Sequence, residues 1–400
     1  MQHQSPPNNS GSILAYNPQL DGLRFGAIFF VVCYHWLPFI HDHKETAAIG
    51  GFINFFFVLS SYLITRILIS AREKGEMLGV AKPKVMLVFL LRRTIRIFPA
   101  YYLFLLLVIL LPTVGAEVKD NAGSYFSYLA NYHMFNTQGY THITAHIWTL
   151  AVEEQFYIFW PLVILFIPRK HLLKTFLFII IITTAARAIL YVPTPKIPMA
   201  ILTQYCADAF AIGAVMAYKY TLATEKEKQL ITKAFRLGLY IGIPVCLSII
   251  IARSEYLSFV VNRLLFSVIS YAIVEGAVKQ YKNFFGKFLE NKRVGYIGRI
   301  SYGIYLYHLV IPVVFWKLYH EFFVYFKSNY AGFYAVHKRT IWKFEEIISS
   351  QLGCFIIYSI LVIIVASLSA KYIEGPLNKL KVGYSSGSKN MKLKPTAAIK

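Results

Sequence analysis

The sequence predicts an all-α protein, a polytopic bundle of about ten membrane-spanning helices with both termini in the cytoplasm. Three observations carry this reading. Of 400 residues, 57% are hydrophobic and only 15% charged, with a mean hydropathy of +0.52, whereas soluble domains average about 25% charged. Apolar runs recur along the whole chain, each of the roughly 20 residues needed to cross about 30 Å of hydrocarbon. The lysines and arginines concentrate in alternate loops, the asymmetry that orients helices in a bilayer.

Taken in order, spans are expected at 22–41, 50–70, 97–113, 147–167, 171–190, 199–218, 233–252, 258–278, 296–317 and 350–370. The segments 71–96, 168–174, 219–236, 279–295 and 371–400 hold 27 of the 41 basic residues and are assigned to the cytoplasm. On the other side Lys44, Lys119, Lys196 and Arg253 stand nearly alone. The long loop 318–349 fits less well, being aromatic and moderately basic, and is expected at the outer interface. The run VAKPKVMLVFLLRRTIR (80–96) is too short to span and reads as a helix on the inner surface. The stretch 124–146 reads as an outer re-entrant segment. Residues 1–15 and the basic tail 381–400 are expected to be disordered, flanking one membrane domain at 16–380.

The net charge of +22 follows from these topology signals. No basic domain interleaved with aromatics is present, which excludes nucleic acid as a partner. The four cysteines, Cys33, Cys206, Cys246 and Cys354, lie in apolar runs and read as small buried hydrophobes. No metal site is expected, because His133, His142 and His146 lack ligand spacing on a helix.

Ionisable residues inside the spans are the informative exceptions. Each costs at least ~2.5–3.5 kcal/mol to insert, so each needs a reason. Counted from the outer end of its span, His35 lies about six residues in, Glu153 and Glu154 about six and seven, and Asp208 and His308 about nine, at a rise of ~1.5 Å per residue. Arg263 and Arg187 lie shallower. Asp208, Arg187 and Arg263 can equally form structural pairs with one another. Near the inner edge sit Arg24, Arg66, Arg299 and the cluster Arg92, Arg93 and Arg96.

The run LDGLRFGAIFFVVCYH joins the two layers. Eleven residues turn a helix to within ~20° of whole turns, so Arg24 and His35 share a face, roughly 16 Å apart. A ligand whose phosphates are gripped by Arg24 could extend a long arm to His35, which suits a pantetheine-bearing acyl carrier. Arg93 and Arg96, three residues apart, would add charge-assisted bonds to phosphate. A neutral His35 could take the proton of a hydroxyl attacking a thioester, with Glu153 or Glu154 orienting the imidazole. The blander alternatives are snorkelling for Arg24, packing for His35 and topology for the arginine cluster.

In order along the chain, DGLRFGAIFFVVCYH, RRTIRIFPAYY, HIWTLAVEEQFYIFWP, SYGIYLYH and YIEGPLNKL resemble the motifs of the acyltransferase family 3 membrane proteins. The resemblance covers about 16–380. It implies about ten helices in a bacterial inner membrane that move an acyl group, mostly acetyl, from cytoplasmic acyl-CoA to a hydroxyl of a cell-surface or exported carbohydrate or lipid-linked glycan. Acyl-CoA enters as co-substrate, with no permanently bound cofactor. Residue by residue, the family's Arg-x10-His motif falls on Arg24 and His35 and its Arg-x-x-Arg motif on Arg93 and Arg96. Its span glutamate falls on Glu153 or Glu154. Tyr302, Tyr305 and His308 of the SYGIYLYH run, together with Asp208 from the depth count, become candidate substrate-site residues. Some members carry an added esterase-like domain, so a second transfer step here would use a separate periplasmic partner. Whether His35 acts as general base or carries the acyl group itself is left open by spacing. The rival class is a proton-coupled exporter of a polysaccharide precursor, since buried His and carboxylates also serve proton relays; the sequence shows none of the inverted repeats such folds use.

Overall fold

A computed structural model describes residues 16–37, 47–111, 115–140, 142–193, 197–383 and 392–395, with backbone only at 47–51, 380–383 and 392–395. The segment 1–15, the end of the first expected span at 38–41, and 384–391 and 396–400 of the tail lie outside the described residues.

Among the described residues the secondary structure is helical apart from one short ribbon. The principal helices are α1 (Pro18–Trp36), α2 (Ala47–Met77), α3 (Lys82–Ile109), α4 (Ile147–Phe166), α5 (Arg169–Ile189), α6 (Ala207–Thr221), α7 (Glu225–Ala252) and α8 (Glu255–Val278). They continue as α9 (Lys292–Arg299), α10 (Ser301–Tyr307), α11 (Val310–Asn329), α12 (Ala331–Ser349) and α13 (Gln351–Ser369). At the tail, Leu380–Gly383 pairs antiparallel with Lys392–Pro395.

Among the described residues six helices are long and apolar enough to cross a membrane, or seven if the bent pair α10–α11 forms one span. The protein is therefore a multi-pass membrane protein. Three of the expected spans are helical but do not meet that standard. Gln19, Asp21, Arg24 and His35 lower the hydropathy of α1. Arg92, Arg93 and Arg96 interrupt α3, and α6 has only 15 residues.

Several expected elements are redrawn. The surface helix at 80–96 and the span at 97–113, whose end at 112–113 lies outside the described residues, are joined in one 28-residue helix, α3, which passes through Pro99. Hydropathy divides them because it assumes lipid on every side, whereas Arg93 and Arg96 face a protein-lined cavity. The expected span 296–317 is broken into α9, α10 and the start of α11, with a 55° bend between the last two. The expected outer loop 318–349 is the remainder of α11 followed by α12. The stretch 124–146 contains a short helix, Ala130–Thr137.

Small residues bring the key helices together, as they do between membrane helices generally. A Cβ on Gly298 of α9 would lie 1.8 Å from the Asp21 carbonyl oxygen, so only glycine lets α9 sit against α1 there. Gly213 likewise places α6 against the α2 backbone, 2.3 Å from Val58 O to where a Cβ would be. The interior divides into two apolar clusters, one around α2, α4 and α6 and the other around α1, α3, α10 and α13.

Candidate functional site: a charged cavity beside a histidine cavity

The contact of α9 with α1 fixes the first turns of α1. Asp21 accepts hydrogen bonds at Oδ1 from Arg24 Nη1 (2.5 Å) and at Oδ2 from the Tyr16 hydroxyl (2.9 Å), and Arg299 Nη1 stands 4.0 Å from the same Oδ2. Arg24 is thereby held on the wall of a cavity of about 570 Å³. Arg93 and Arg96 from α3, Glu153 and Glu154 from α4, and Tyr302 and Tyr305 from α10 line the same space. Arg93 lies over the rings of Phe89 and Tyr157, each 5.6 Å away, a favourable place for a guanidinium. Tyr157 donates to Glu153 Oε2 (3.2 Å), and its oxygen lies 2.8 Å from Ser60 Oγ. Glu154 is 5% exposed, and its Oε1 has no hydrogen-bond partner among the described residues.

His35 lines a second cavity of about 410 Å³ with Tyr34, Tyr140, His146, Trp148, Arg263 and Tyr305. Ile53 and Tyr305 belong to both walls. The Tyr305 hydroxyl donates to the His146 carbonyl (2.9 Å) and lies 2.5 Å from Thr149 Oγ1. The His35 ring lies 4.9 Å from Tyr34 and 5.1 Å from His308 between centroids.

The six residues read as catalytic or phosphate-binding therefore divide. Arg24, Arg93, Arg96, Glu153 and Glu154 share one cavity; His35 lies on the next. Among the described residues Glu153 accepts from Tyr157, not from an imidazole. Of the candidate substrate residues, Tyr302 and Tyr305 reach the charged cavity and His308 abuts His35. Asp208 lines neither cavity. It forms a buried ion pair with Arg187 (2.6 Å), which also donates to the carbonyls of Tyr205 (2.9 Å) and Val260 (3.3 Å) and to Thr184 Oγ1 (3.5 Å). Arg263 instead donates to the Ala200 carbonyl (2.6 Å).

Sequence reasoning passed over three participants. His146 lacks metal-ligand spacing in the sequence, yet its ring lies 4.9 Å from that of His308. Asp21 precedes Arg24 by three residues, a helical ion-pair spacing that was readable in advance. Glu374, from the quoted YIEGPLNKL run, lines the charged cavity. Among the described residues no group of three or more metal-ligating side chains converges.

Chemically, the charged cavity is lined by four arginines, Arg24, Arg93, Arg96 and Arg299, suited to phosphate, and by four carboxylates, Asp21, Glu153, Glu154 and Glu374, of which Asp21 is paired with Arg24. A family model described as an acyltransferase domain matches residues 17–371. The chain belongs to the acyltransferase 3 family. Curated relatives agree with that assignment. "Peptidoglycan O-acetyltransferase OatA" of Listeria monocytogenes is 30% identical over 325 residues, 74% of this chain and 49% of the relative. "O-acetyltransferase OatA" of Staphylococcus aureus is 28% identical over 327 residues, 74% of this chain and 51% of the relative. "Putative peptidoglycan O-acetyltransferase YrhL" of Bacillus subtilis is 27% identical over 403 residues, 87% and 61%. The chain thus spans about half the length of the first two of these acyltransferase 3 relatives. No solved structure matches it.

Proposed function

We propose that this protein is an integral-membrane O-acetyltransferase that moves an acetyl group from cytoplasmic acetyl-CoA to a hydroxyl of a cell-wall glycan. The observation that carries the reading is the convergence of Arg24, Arg93 and Arg96 with Glu153 and Glu154 on one cavity of about 570 Å³. Such a space accommodates a charged, elongated ligand, and ordinary binding pockets run about 300–1,000 Å³. The names of the curated relatives support O-acetyl transfer and favour peptidoglycan as the acceptor.

In this reading the three arginines hold the CoA phosphates, and the thioester arm extends past Tyr305 toward the histidine cavity. His35 acts as general base on the acceptor hydroxyl. As the C–O bond forms and the C–S bond breaks, CoA leaves as the thiol, its proton returned from His35. The glutamates govern charge in the arm's path. The loop-charge pattern supports a ten-span arrangement in a cytoplasmic membrane, with both termini inside and the arginines nearer the cytoplasm.

Purified protein in nanodiscs, supplied with radiolabelled acetyl-CoA and peptidoglycan fragments, tests the proposal. Acceptor-dependent release of CoA with label on the fragments is the expected result. An intact thioester under all conditions would overturn it.

A further inference from the structure

We propose that His308 is the positioning residue for His35, accepting a hydrogen bond from one nitrogen of that ring so that the other is presented to the acceptor hydroxyl. The inference rests on the proposed role of His35 as base, and it gives His308 the place that a carboxylate occupies in familiar triads.

Four observations converge on it. His308 is fully buried at the break between α10 and α11, where the chain bends by 55°; broken helices inside membrane proteins occur where backbone lines a site. Its Nδ1 lies 2.6 Å from the Tyr305 carbonyl oxygen, which can only accept, so the proton of the neutral ring is on Nδ1. Its Nε2 therefore carries a lone pair, and that atom is buried without a hydrogen-bond partner among the described residues. A buried acceptor left open is costly, of order 1–3 kcal/mol, and calls for a donor. Finally, two imidazoles lie close enough to supply it. That of His146, 4.9 Å away, turns its Nε2 to the Leu306 carbonyl, so its proton is there and its Nδ1 is a second acceptor. This leaves His35, 5.1 Å away, as the ring from which the donor can come, at a separation that lets two ring nitrogens reach hydrogen-bond distance.

The surrounding bonds hold this arrangement in place. Trp36, next to His35 at the end of α1, donates its indole N–H to the His308 carbonyl (3.1 Å), pinning the two segments together. On the far side His146 lies 3.2 Å from the Leu306 carbonyl through Nε2, with its ring 4.9 Å from that of His308. His308 is thus fixed by α1 from one side and by the start of α4 from the other. A small rotation of either ring closes the His35–His308 bond, and misplacement of a base by about 1 Å can cost on the order of a hundredfold in rate.

The test compares H308L, H308Q and H35A in nanodiscs, measuring kcat for acceptor-dependent CoA release and KM for acetyl-CoA. H308L, which fills the space without an acceptor, is expected to lower kcat by about ten- to a hundredfold with KM within about twofold of wild type. H308Q, whose amide oxygen can stand where Nε2 does, is expected to recover most of that loss. Equal behaviour of H308L and H308Q, or an unchanged kcat in H308L, overturns the proposal. Should H308L not fold, ring-nitrogen NMR of the full-length wild type decides: a single fixed tautomer at His35 supports the assignment and a tautomer mixture overturns it. An active H35A would remove the base itself. An inactive H35A beside a fully active H308L would remove only the positioning role.

Discussion

The buried ion pair of Arg187 with Asp208 and the charged cavity are both polar clusters inside the bundle, yet they are built oppositely. Arg187 is enclosed, fully buried, and directed at a carboxylate and two carbonyls. Its pair joins α5 to α6, and although its Nε has no hydrogen-bond partner among the described residues, neither member of the pair lines either cavity. The cavity arginines share space with three glutamates, one of which, Glu154, keeps an oxygen without a hydrogen-bond partner among the described residues. Burial of charge does not by itself mark a reactive site. Burial beside a cavity, with hydrogen-bonding capacity unspent, does.

The contrast can be broken by substitution, and the largest effect is expected at neither cluster. His35→Ala should reduce acyl transfer by about 100-fold or more, the usual worth of a general base, while the yield of folded protein stays near wild type. Loss of folded protein in parallel with activity would make His35 a packing residue. Next comes Arg187→Leu, which strands Asp208 as an unpaired buried charge. It should lower stability by ~3–5 kcal/mol, read as a fall in thermal midpoint, and the double variant Arg187→Leu/Asp208→Leu should recover much of it. A double variant no more stable than the single one would contradict a purely structural pair.

Smaller effects sharpen the division within the site. Arg93→Ala removes charge-assisted bonds of ~1.5–3 kcal/mol each, so KM for acetyl-CoA should rise about tenfold or more with KM for the acceptor unchanged. Equal rises for both substrates would end the separation of roles. Tyr157→Phe, which removes the hydroxyl bonded to Glu153, should cost ~1 kcal/mol and slow turnover only a few-fold. A change above a hundredfold would promote Tyr157 from support to chemistry.

Much of the helical architecture was legible in the sequence because membrane helices announce themselves by length and composition. The runs at 50–70, 147–167 and 171–190 became α2, α4 and α5. Hydropathy read less well where the environment is protein rather than lipid. It divided α3 at its arginines, and it could not see the bend at His308, which interrupts no apolar run. At the site, the spacing of Arg93 and Arg96 on one helix face was readable, and the structure sets both on the cavity wall. Depth counting placed Asp208 in the same layer as His308 and the glutamates, but depth says nothing of rotation about the helix axis. Asp208 turns toward Arg187, and the glutamates turn into the cavity that Arg93 also lines. His146 was overlooked for a related reason: its partners come from the far end of the chain.

The most direct test is calorimetric titration of nanodisc-embedded protein with CoA. The account predicts that Arg24→Ala and Arg93→Ala each weaken binding by about tenfold or more, and that the Arg187→Leu/Asp208→Leu protein binds as wild type does. Wild-type affinity in both cavity variants, or loss of binding only when the buried pair is removed, would contradict it.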